Sequence, residues 1–151
     1  MPIKLPAQSF IALAAVGWAD GSLHRSEGTA LVDAARKLGL EGADLAAVEQ
    51  STRSPVQLDA FSPGTMTLWE CIVTYALATW LARIDGVQST SESALLRSLG
   101  ERLGLDEGLR QRASGAAFDI SVLPEGGRPD RYDFVQLIAR LHERLPQFPA
   151  A

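Results

Sequence analysis

The chain has 151 residues, 46% of them hydrophobic and 21% charged, with a formal net charge of −4. That length suits one domain with a single buried core, and 22 alanines with 21 leucines, against few β-branched and aromatic residues, point to an all-α fold. The acidic balance excludes a general attraction to nucleic acid, one cysteine excludes an intrachain disulfide, and two histidines leave little for a transition-metal cage.

Taken in chain order, Pro6 and the apolar run Ala7–Ala19 predict a first helix, closed by Asp20-Gly21. A second covers about Arg25–Leu38, with Ala30, Leu31, Ala34, Ala35 and Leu38 at spacings of three and four, and Gly39 ends it. Gly42-Ala43-Asp44 opens a shorter helix through about Glu49, and Val56–Phe61 reads as a further helical turn. Ser62-Pro63-Gly64 is the clearest break. The longest element follows over roughly Thr65–Ile84, apolar nearly all round, as befits the middle of a bundle, and Asp85-Gly86 ends it. Helices are then expected over Thr90–Leu103, closed by Gly104, and over Glu107–Phe118 with Asp106 as N-cap. After the loop Pro124–Pro129, Asp130 opens a last helix (130–145) with Phe134, Leu137, Ile138 and Leu141 on one stripe. The apolar stretches Phe10–Ala19 and Cys71–Ala82 fall short of the roughly 20 residues of a membrane span. Both are expected as core helices, in a protein of the cytoplasm.

The informative feature is an internal repeat. Asp20-Gly21 matches Asp85-Gly86, and at the same offset Ser26 matches Ser91, Glu27 matches Glu92, and Leu31 matches Leu96. Leu38-Gly39-Leu40 likewise matches Leu103-Gly104-Leu105. The copies span 7–48 and 72–113, within a single domain of residues 1–151, and each half of the chain carries a charge of −2. A compact bundle of about seven helices, built from two related halves, is the expected architecture.

Two readings of Asp-Gly…Glu stand side by side. In the first the motif is structural: glycine closes one helix, the aspartates bond loop amides, and Ser89-x-x-Glu92 forms a capping box. In the second, Asp20 with Glu27 and Asp85 with Glu92 are ligands for a hard divalent cation such as calcium, carbonyls and water completing the oxygen shell. Only two carboxylates per loop, with Arg25 or Arg83 nearby, make any such site weak, and the EF-hand pattern is absent.

These residues resemble a known family. Ala19-Asp20-Gly21, Glu27 and Leu38-Gly39-Leu40, repeated as Ile84-Asp85-Gly86, Glu92 and Leu103-Gly104-Leu105, look like the TerB-like domain of tellurite-resistance proteins, over roughly residues 7–145. The resemblance implies an all-helical, non-catalytic module of two related halves. It also implies a part in tellurite and other stress responses, calcium binding through acidic residues, and scaffolding near membrane partners. Asp20 and Glu27 match the family's first acidic motif, and Asp85 and Glu92 its second. Between them this chain departs from the pattern, with Ser22, His24 and Arg25, then Val87, Gln88, Ser89 and Thr90, where many relatives carry further acids.

The remaining polar and aromatic residues read plainly. Cys71, with no neighbouring His or second Cys, is expected as a buried small hydrophobe, and a small enzyme using Cys71 or a metal is the remote alternative. Trp18, Trp69 and Trp80 are expected in the core, with Trp18 partly exposed; His24 and His142 are expected in solvated or capping roles. Arg110, Arg112, Arg128 and Arg131 read either as a cluster for an acidic partner or, as expected here, as an ordinary solvated face. No catalytic triad, zinc spacing or nucleotide motif is present. The expectation is a non-enzymatic binding module with protein partners or self-association and no nucleic acid or transmembrane segment. A peripheral membrane complex is compatible with it. The competing expectation is a structural or oligomeric helical protein whose motifs are only caps.

Overall fold

A computed structural model describes residues 7–18, 25–37, 39–54, 66–83, 90–122, 134–145 and 147. Among them every regular element is a helix: α1 (Ala7–Gly17), α2 (Arg25–Lys37), α3 (Gly42–Arg53), α4 (Leu68–Arg83), α5 (Thr90–Arg102), α6 (Glu107–Ser121) and α7 (Phe134–Arg144). The chain is all-α, as its composition indicates.

Apolar patterning decides which helices lie inside. Residues 71–80 of α4 are all buried, so this stretch of the helix has no face for water. It packs against α1, α5, α6 and α7, while α1 packs against α2, α3, α4 and α5. On α1, Phe10 and Ala12–Val16 are buried. The outer helices each contribute one stripe: Leu31, Ala34 and Ala35 from α2, Leu96 and Leu99 from α5, Leu137 and Leu141 from α7, with Leu145 just beyond its end. No helix among the described residues is long and apolar enough to cross a membrane.

Helix ends follow local chemistry. Gly39 and Gly104 take φ of +102° and +73°, a region where a Cβ is strained. At each, the glycine N–H and the next leucine N–H fold back onto the preceding turn: Gly39 to the Arg36 carbonyl (3.2 Å) and Leu40 to that of Ala35 (2.9 Å). Gly104 bonds the Glu101 carbonyl and Leu105 that of Gly100, both at 3.0 Å. This is the Schellman closure, whose usual apolar contact is supplied by buried Leu40 and Leu105. Asp106 caps α6 as expected, its Oδ1 accepting from the Leu109 N–H at 2.8 Å.

Three boundaries differ from the sequence reading by three residues or more. The third helix runs a turn past Glu49 to Arg53, because the Ser51 and Thr52 hydroxyls fold back onto carbonyls of their own helix rather than interrupting it. It stops where Pro55 forces Ser54 into extended backbone, φ −128° and ψ 140°. The fourth starts at Leu68 instead of Thr65. Thr67 and Glu70 form a reciprocal capping box there, with Thr67 N–H on Glu70 Oε1 at 2.8 Å and Glu70 N–H on Thr67 Oγ1 at 3.1 Å. The sixth continues past Phe118 to Ser121. The expected turn at Val56–Phe61, the break at 62–64, the loop at 124–129 and the cap Asp130 lie outside the described residues.

Candidate functional site

The Asp-Gly…Glu motifs frame the starts of α2 and α5. These two helices begin at Arg25 and Thr90 and end at Lys37 and Arg102, so both ends keep one offset. Glu27 and Glu92 are the third residue of their helices, in the first turn, where the helix dipole favours a carboxylate. Asp20, Gly21, Asp85 and Gly86, with His24 and Ser89, lie outside the described residues. Among the described residues no three of His, Cys, Asp and Glu gather in the manner that holds a metal ion.

The same offset relates much of the interior. Ser9 on α1 and Thr74 on α4, 65 positions apart, are both fully buried, and their hydroxyl oxygens lie 2.9 Å from one another. Val48 on α3 and its counterpart Ala113 on α6 are both fully buried, and Ala34 on α2 and Leu99 on α5 are both buried. The match is partial. Positions 10, 35 and 45 carry Phe, Ala and Leu, while positions 75, 100 and 110 carry Tyr, Gly and Arg.

Other chemistry-bearing side chains fall into place around α4 and α6. Cys71 is buried, and its thiol is pushed up by that burial and then by the Glu70 carboxylate, which disfavours the nucleophilic thiolate. Trp80 is fully buried, while Trp18 and Trp69 are half-buried. The Trp18 indole N–H donates to the Ser51 carbonyl at 2.9 Å, tying α1 to α3. Two expectations need correction. His142 is not simply solvated: it is half-buried and stacks on Trp69 with ring centroids 4.3 Å apart and planes 20° from parallel. Arg112 is exposed, but Arg110 is half-buried with its Nε shut off from solvent. Arg128 and Arg131 lie outside the described residues.

A cationic clamp joins α6 to α7. Asp119 Oδ2 accepts from Arg140 Nε at 2.9 Å and Arg144 Nε at 2.7 Å, and Arg140 Nη1 also reaches Glu143 Oε2 at 2.6 Å. Burial pushes the Asp119 carboxyl up, but the hydrogen bonds and charges of Arg140 and Arg144 outweigh it and hold the group below the ordinary aspartate range. None of this clamp is visible in the spacing of Asp119 and Arg140, which stand on different helices. The Thr67-x-x-Glu70 box, by contrast, was legible in sequence as a helix-start signature.

Compared with protein-family models, curated proteins and solved structures, the chain matches none.

Proposed function

We propose that this chain is a non-catalytic, TerB-like helical module of a bacterial stress response. In this reading it works in the cytoplasm by binding protein partners, and Asp20, Glu27, Asp85 and Glu92 hold a divalent cation such as calcium. The observation that carries it is the doubled Asp-Gly…Glu…Leu-Gly-Leu pattern, on helices α2 and α5 whose ends keep a single offset. A fold duplicated from one unit presents its acidic motif twice. Two weak oxygen sites per chain then follow from the chemistry of the carboxylates.

Calorimetric titration with calcium tests this. Wild-type protein is expected to give saturable heat in the millimolar range, and the Asp20→Asn/Asp85→Asn variant to give none. Absence of heat from the wild type, or unchanged heat from the variant, removes the cation and leaves partner binding alone.

A second reading is favoured by the placement of Glu27 and Glu92 in the first turns of α2 and α5. There the motifs act as caps in a structural or oligomeric protein. Glu27→Ala and Glu92→Ala then cost about 1 kcal/mol each, and calcium leaves the melting temperature where it was.

A further inference from the structure

We draw no further inference here: the strongest candidate, the exposed apolar patch of Phe118 and Val122 one turn apart at the C-terminal end of α6, carries none, because nothing in the structure shows what covers it.

Discussion

The hydroxyls of Ser9 and Thr74 meet at 2.9 Å in the buried contact between α1 and α4, joining two positions that stand 65 residues apart. Thr74 Oγ1 also lies 2.7 Å from the Glu70 carbonyl oxygen, and Ser9 Oγ lies 3.9 Å from Met66 Sδ, so a short polar chain crosses an otherwise apolar seam. Thr74→Val keeps the shape and removes the hydroxyl, leaving Ser9, among the described residues, with only a weak sulfur acceptor. Urea unfolding is expected to show a loss of about 1–3 kcal/mol for this buried, unsatisfied group. The Ser9→Ala/Thr74→Val double variant should cost less than the two single variants together, since it leaves no orphan.

Asp119 sets a pH dependence. Its native carboxyl titrates below the ordinary aspartate range, because Arg140 and Arg144 outweigh the effect of burial, so the unfolded chain binds the proton more readily. Its contribution to stability is complete above the ordinary value of about 4 and is lost as pH falls from there through the native value. At pH 7, Asp119→Asn is expected to melt below wild type. The gap should narrow progressively in thermal scans taken below about pH 4.

Helix starts at α3, α4 and α6 differ in quality, and the difference is measurable. Glu41 stands at the N-cap of α3 without a side-chain bond, whereas Asp106 at the same place on α6 makes one. Glu41→Asp is expected to raise stability by about 0.5–1 kcal/mol, and Thr67→Ala to lower it by about 1 kcal/mol by opening the α4 box. Denaturant midpoints read both, with opposite signs.

Gly104 isolates a backbone effect. Its φ is +73°, and a Cβ there meets nothing within 4 Å, so Gly104→Ala introduces strain without a clash. The expected cost is about 1–2 kcal/mol. A crystal structure of the variant should show the Leu105 N–H still bonded to Gly100. An unchanged melting curve would mean that the turn relaxes at no cost.

What the sequence determined by itself is what local chemistry controls. Leu38-Gly39-Leu40 and Leu103-Gly104-Leu105 mark two helix ends because glycine alone takes the left-handed turn cheaply, and Asp106 marks a helix start because its carboxylate reaches an amide three residues on. The unbroken apolar run of α4 announced its central position for the same reason, since a helix without a polar face has to be enclosed. Only the tertiary structure decided which side chains meet across helices. The Ser9–Thr74 pair, the Asp119 clamp, His142 on Trp69, and Arg110 laid over Gly100 beside Tyr75 join residues whose distance along the chain carries no sign of contact. Arg110 shows the difference most clearly. Its surroundings in the chain, with Gln111 and Arg112, read as an ordinary solvated face, and only the close approach of α5 at a glycine withdraws its Nε from water.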